Sequence, residues 1–259
     1  MTLPTKHMSK LPPLLAWFWV MKICATTLGE TAGDLLSMTL KVGYLVSTII
    51  LLSVFVVTLV GQLVARRYHP FLYWLVILST STAGTTMSDF MNRTLGLGYA
   101  TGSAILVGIL IGVLAIWRMT EKTLLVTDVR TLRAELFYWG AILVSNTLGT
   151  SLGDYLADDS GLGFMGGAAV IGGVLAVIVL AYYFTAISRV GLFWAAFVLT
   201  RPFGATMGDV LTKDHDEGGL GFGTVGSSAV LLVILVAAIL YTMWRDRARL
   251  AADERVVAV

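Results

Sequence analysis

Charge is scarce in this sequence. Only 13% of its 259 residues are Asp, Glu, Lys or Arg, against 57% apolar by type, and the mean hydropathy is +0.83. A soluble domain carries about a quarter charged residues, so a water-soluble fold does not fit. A single cysteine, Cys24, excludes an internal disulfide framework, a thiolate zinc cluster and a cysteine-ligated iron–sulfur centre. The net charge of +2 is too small for nucleic-acid binding by bulk charge. His7, His69 and His215 lack metal-ligand spacing, and no phosphate-binding Gly-Lys-Ser/Thr loop or nucleophile elbow occurs, so no enzyme activity is expected. What remains is an all-α polytopic membrane protein.

Apolar runs of the roughly 20 residues that a bilayer helix needs occur eight times, at about 14–38, 42–65, 71–92, 99–117, 134–157, 165–187, 190–212 and 222–244. The segment before Pro12-Pro13 reads as a retained tail, not a signal peptide, and DERVVAV at 253–259 reads as a disordered one. Thirteen Lys and Arg fall in loops on one side, including Lys6, Lys10, Arg66, Arg67, Arg118, Arg130, Arg189, Arg249 and Arg255; Lys41, Arg93 and Lys213 fall on the other. That bias predicts cytoplasmic termini. Lys22 and Arg201 lie inside spans.

Self-similarity organises the chain. Four two-span units each carry a Trp followed fifteen residues later by an Asp: Trp19/Asp34, Trp74/Asp89, Trp139/Asp154 and Trp194/Asp209. The motifs before the Asp are LGETAGD, AGTTMSD, LGTSLGD and FGATMGD. Nine residues later come Gly43-Tyr44, Gly98-Tyr99 and Gly163-Phe164, with Gly221-Phe222 after an expected three-residue insertion. One transmembrane domain, 1–259, is expected, with repeats 14–66, 70–118, 134–188 and 190–245. A cytoplasmic linker at 118–133 joins two similar halves, and 246–259 forms a cytoplasmic tail.

At about 100° per residue, positions −3, −4, −7 and −8 from the Asp form a polar stripe. They are Thr31, Glu30, Thr27 and Thr26; Thr86, Thr85, Thr82 and Ser81; Ser151, Thr150, Thr147 and Asn146; and Thr206, Ala205, Pro202 and Arg201. A carboxylate facing lipid costs several kcal/mol, so the stripe should face the bundle interior. Positions −5 and −1 are small in every copy: Gly29/Gly33, Gly84/Ser88, Gly149/Gly153 and Gly204/Gly208. Such pairs let helices approach closely in lipid. Spans 1, 3, 5 and 7 are therefore expected inside and spans 2, 4, 6 and 8 outside. Pro202 should kink or break span 7, Lys22 should snorkel to the cytoplasmic interface, and the four Trp should anchor there.

The repeat, with TTLGETAGD, TSTAGTTMSD, NTLGTSLGD and RPFGATMGD, resembles a bacterial membrane-protein family built from a tandem two-span repeat of unknown function. That resemblance implies eight spans in a bacterial inner membrane and brings no assigned activity. Glu30-Thr31-Ala32-Gly33-Asp34, with one extra residue before the Gly, is also similar to the Glu-x-Gly-Asp motif of the manganese/calcium–proton exchanger family.

Carboxylates beside hydroxyls suit hard cations. The expected function is secondary transport of a small cation, a divalent metal exchanged for protons. The alternatives are a pseudo-fourfold cation channel and a non-transporting scaffold or regulator. Expected cation-binding residues are Glu30, Asp34, Asp89, Asp154, Asp209, Thr27, Thr31, Thr86, Asn146, Thr147, Ser151 and Thr206, with Glu30, Asp34 and Asp154 as metal ligands. Arg201, Lys22, Arg93 and Lys213 should balance charge. The expected partners are the lipid bilayer, a small cation and protons, with no nucleic acid and no resident cofactor; the oligomeric state is left open.

Overall fold

The computed structural model describes residues 12, 15–65, 67–129 and 131–257, with side chains up to residue 248. The expected tail with Lys6, His7 and Lys10, the expected helix start at Pro13, and the loop residues Arg66 and Arg130 lie outside the described residues, as do the side chains of Arg249 and Arg255. Eight long α-helices make up the described chain: α1 Ala16–Asp34, α2 Tyr44–Val64, α3 Pro70–Asp89, α4 Tyr99–Glu121, α5 Leu132–Asp154, α6 Gly163–Phe184, α7 Arg189–Thr212 and α8 Gly223–Val257. Their starts follow local chemistry. Pro70 opens α3, where its missing N–H costs nothing, and the Thr131 hydroxyl caps α5 by accepting from Ala134 N at 3.0 Å.

α2, α4, α6, α7 and the Gly223–Ala248 part of α8 are long and apolar enough to cross a membrane. α1, α3 and α5 are less apolar because they carry the hydroxyls and carboxylates of the motif.

α1, α3 and α5 end on the motif aspartate and wind on into one wider π-helical turn, at Leu35–Thr39, Phe90–Thr94 and Tyr155–Asp159. Leu40, Leu95 and Ser160 close these turns by donating to Leu35, Phe90 and Tyr155 carbonyls at 2.8–2.9 Å. A left-handed pair two residues apart then redirects the chain: Lys41/Gly43, Gly96/Gly98, Gly161/Gly163 and Gly221/Gly223. In the fourth copy Leu220 N donates to Val210 O and Phe222 N to Leu211 O, where the second copy has Leu95 N to Phe90 O and Leu97 N to Met91 O. The insertion is therefore five residues, not the expected three. Gly223-Thr224 is the counterpart of Gly98-Tyr99, and Gly221-Phe222 matches only in composition.

Packing follows a cyclic order. α1 lies on α3, α3 on α5, α5 on α7, and α7 returns to α1. Each remaining helix leaves its own repeat and packs on the next: α2 on α3, α4 on α5, α6 on α7, and α8 chiefly on α1. Residues 122–129 of the linker fold back onto this assembly. Val126 and Val129 are buried, and Leu124 O accepts from the Trp194 indole at 3.1 Å.

Four expectations need correction. α7 runs unbroken through Pro202, so the expected break does not occur; Pro202 is buried, with its nitrogen 2.9 Å from where a methyl group on Gly149 would stand. Trp74, Trp139 and Trp194 are buried rather than interfacial. Trp74, Trp139 and the half-buried Trp19 pack against the aromatic residue one repeat position earlier on the preceding helix of the cycle: Phe18 on Trp74 at 5.7 Å, Tyr73 on Trp139 at 5.6 Å, and Phe193 on Trp19 at 5.7 Å. At the fourth junction Trp117 of α4 stands between Tyr138 and Trp194. Lys22 does not snorkel; it is fully buried with its ammonium nitrogen 4.2 Å from the Phe197 ring centre. Finally, α8 continues helical to Val257, as an Ala-, Arg- and Leu-rich stretch favours, so DERVVAV is not disordered over its described part.

Candidate functional site

The small positions set the distance between the helices. A methyl group added at Gly29 would overlap Ser81, at Gly84 Asn146, at Gly149 Arg201, and at Gly204 Thr26. In every case the −5 glycine receives the −8 side chain of the next helix in the cycle. One turn along, the −1 position receives the −4 residue: Gly33 meets Thr85, Gly153 meets Ala205, and Gly208 meets Glu30. In the remaining copy Ser88 is buried and accepts from Asn92 Nδ2 at 3.1 Å. Position −4 is thereby wedged inward in each copy.

Glu30 occupies that position in α1, and three other helices converge on it. Its Oε2 lies 2.9 Å from Arg201 Nη1 of α7 and accepts from Thr150 Oγ1 of α5 at 3.0 Å and Thr85 Oγ1 of α3 at 3.3 Å. Arg201 Nη2 donates to the same two hydroxyl oxygens, at 2.7 Å and 2.6 Å, and to Ser81 O at 3.4 Å. Glu30 and Arg201 are 3% and 0% exposed, so this pair is held out of water.

One turn toward the ends of α1, α3, α5 and α7 lie the four motif aspartates, all buried. Carboxylate oxygens of Glu30, Asp154 and Asp209 fall within 4.8 Å of one another, so Asp209 rather than Asp34 completes the closest acidic group among the described residues. Two bases serve this layer. Arg93 holds Asp89 at 3.0 Å and reaches Asp154 on the next helix at 3.9 Å. Lys213 lies 3.7 Å from Asp209 and also acts electrostatically on Asp34. Asp34 has no hydrogen-bond or ion-pair partner of its own among the described residues. Five carboxylates thus face Arg201, Arg93 and Lys213, an excess of two negative charges. Lys22 stands apart from them, two turns below Glu30 on α1.

The other expected ligands make hydrogen bonds of their own. Thr31 accepts from Ser228 of α8 at 2.8 Å and donates to Leu28 O. Ser151 accepts from Ser103 of α4 and Asn92, both at 2.9 Å. Thr27 and Thr147 donate to carbonyls four residues back, Thr86 to Thr82 and Ala83, and Thr206 to Pro202 and Phe203. Asn146 Nδ2 donates to Thr80 Oγ1 at 2.9 Å. Thr85 and Thr150, by contrast, contact Glu30 directly, and sequence reasoning did not single them out as ligands. Their signal was available: they hold the same repeat position as Glu30.

The chain belongs to the family described as Repeat of Unknown Function (DUF347), which matches at residues 17–68, 72–123, 137–188 and 192–248. No curated protein and no solved structure matches it.

Proposed function

We propose that this protein is a secondary transporter that exchanges a small divalent cation for protons at the layer of Glu30, Asp34, Asp89, Asp154 and Asp209. In this reading all eight helices span a bacterial inner membrane, with both termini cytoplasmic. α1, α3, α5 and α7 surround the site, and α2, α4, α6 and α8 face lipid. The cyclic packing and the loop bias in Lys and Arg support that placement.

The observation that carries the function is the buried meeting of Glu30, Asp154 and Asp209 within 4.8 Å. Three carboxylates so close are poorly tolerated as bare anions in a low-dielectric setting. One divalent cation or two protons offset the excess of two negative charges equally well, which is the condition for exchanging one against the other. Oxygen ligands of this kind suit magnesium, calcium or manganese as substrate. Arg201 lies immediately below and presents a fixed positive charge to any cation moving along the axis. That favours a carrier with alternating access over an open channel. The similarity of residues 30–34 to an exchanger motif points the same way.

The test is flux into liposomes containing the purified protein, with Mg2+, Ca2+ and Mn2+ offered in turn. At least one cation should enter with proton counterflow. Glu30→Gln, Asp154→Asn and Asp209→Asn should each reduce that flux by about tenfold or more. No flux of any of the three, or unchanged flux in all the variants, overturns the proposal.

A further inference from the structure

Below the Arg201 guanidinium, toward the aromatic layer, four fully buried polar atoms on three helices lack a hydrogen-bond partner among the described residues. They are Lys22 Nζ on α1, Ser81 Oγ on α3, and Ser145 Oγ and Asn146 Oδ1 on α5. Counted from the motif aspartates they occupy positions −12, −8, −9 and −8, which is about one turn of helix. The hydroxyls around Glu30 nearer the aspartates, Thr85, Thr150 and Ser151, find carbonyl or carboxylate partners, whereas Ser47 and Thr48 on α2 and Ser227 on α8 also lack one among the described residues. Buried polar atoms that protein leaves unbonded are ordinarily met by water.

Lys22 is the odd member of this group. Among the described residues no carboxylate lies within ion-pair distance of its nitrogen, and its close neighbour is the Phe197 ring at 4.2 Å. Among the helices packed against α1, the charged group acting on it is Arg201 of α7, which repels an ammonium. α3 contributes Tyr73 one layer below, already hydrogen-bonded to Tyr138 of α5 at 2.8 Å, and no charged group among the described side chains of α8 acts on it. A permanent ammonium here would lack a counter-ion, and a purely structural role would be filled by a methionine of similar length. The aromatic face can nonetheless hold a transient cation. Both forms of the amine therefore have a place in this site.

We propose that Lys22 is the proton-carrying group of the exchange, reached from the carboxylate layer through water held by Ser81, Ser145 and Asn146. The inference rests on the exchange reading above and adds a proton site separate from the cation site. As the cation leaves the layer, hydronium on the aromatic side gives a proton to the lone pair of Lys22 Nζ, forming the ammonium and leaving water. An ammonium N–H then breaks, and its proton passes over the held water to form an O–H bond on a vacated carboxylate, restoring the neutral amine. Each such step moves one positive charge opposite to the cation, and two steps balance one divalent cation.

Two measurements decide it. In liposomes loaded with a pH-sensitive dye, Lys22→Met and Lys22→Gln should lower proton counterflow at least ~10-fold while downhill entry of Mg2+, Ca2+ or Mn2+ persists. Counterflow at the wild-type ratio in either variant overturns the proposal. Separately, 15N-lysine NMR of the wild-type protein in lipid nanodiscs should show one buried amine that changes protonation between about pH 5 and about pH 9, a signal missing in Lys22→Met. A Lys22 that stays an ammonium, or stays neutral, throughout that range overturns it as well. If the wild-type protein moves none of the three cations, the exchange reading fails, and the NMR result still decides whether Lys22 carries a proton.

Discussion

Arg201 of α7 and Glu30 of α1 form a 2.9 Å ion pair that is almost wholly removed from water. Each occupies a position where the other repeats carry neutral side chains: Thr26, Ser81 and Asn146 correspond to Arg201, and Thr85, Thr150 and Ala205 to Glu30. The two charges are thus a matched departure from the repeat. Thr85 and Thr150 bind both partners at once, which ties four helices of the cycle into one network.

Removing one member strands the other. Arg201→Met and Glu30→Gln should each destabilise the protein by about 3–5 kcal/mol, because a lone buried charge is left behind. The double variant should lose clearly less than the sum. Thermal unfolding in detergent, run as a double-mutant cycle, measures the difference; additive losses would mean the pair is not coupled.

The glycines differ sharply in what surrounds them. Gly149→Ala drives a methyl group into the Arg201 side chain and to 2.9 Å from Pro202 N, and should cost about 1–3 kcal/mol. Gly108→Ala on α4 meets nothing within 4 Å and should be neutral or slightly stabilising. Melting temperatures of the two variants, compared side by side, check the contrast.

Tyr73 and Tyr138 share a fully buried hydrogen bond of 2.8 Å. Either single change to Phe leaves a hydroxyl unpartnered and should cost about 1–3 kcal/mol. Tyr73→Phe with Tyr138→Phe should be milder than either alone, since no polar group then remains unpaired. The same unfolding measurement separates these outcomes.

Arg93 spans Asp89 and Asp154 from a side chain 36% exposed. Arg93→Gln raises the negative excess of the layer from two charges to three. Affinity for a divalent cation should tighten by roughly threefold to tenfold, less at high salt. Isothermal titration with Mg2+, Ca2+ and Mn2+ reads this directly; weaker binding in the variant would mean that Arg93 positions the ligands rather than competing with the cation.

Helix positions were legible because the fourfold repeat and the apolar runs act along the chain. The close approach at −5 and −1 was legible too, since small residues there recur in every copy. Partner choice across the bundle was not. A short connection suggests that α2 lies on α1, yet the π turn and the left-handed pair after Asp34 carry it over to α3. The tryptophans misled because an indole suits an interface and a packed interior alike; the aromatic residue just before each one, Phe18, Tyr73, Tyr138 and Phe193, was the overlooked signal. Lys22 misled for a similar reason. Its long stem can reach outward, and only the packing of α7 shows that it does not.

The docking of α8 on α1 has a consequence for how the molecule is made. Chains emerge from the ribosome N-terminus first, and α1 finds two of its neighbours, α7 and α8, only after α2 to α6 have been made. Until both have emerged, α1 waits with two flanks uncovered, and the ring of helices closes only when α8 arrives.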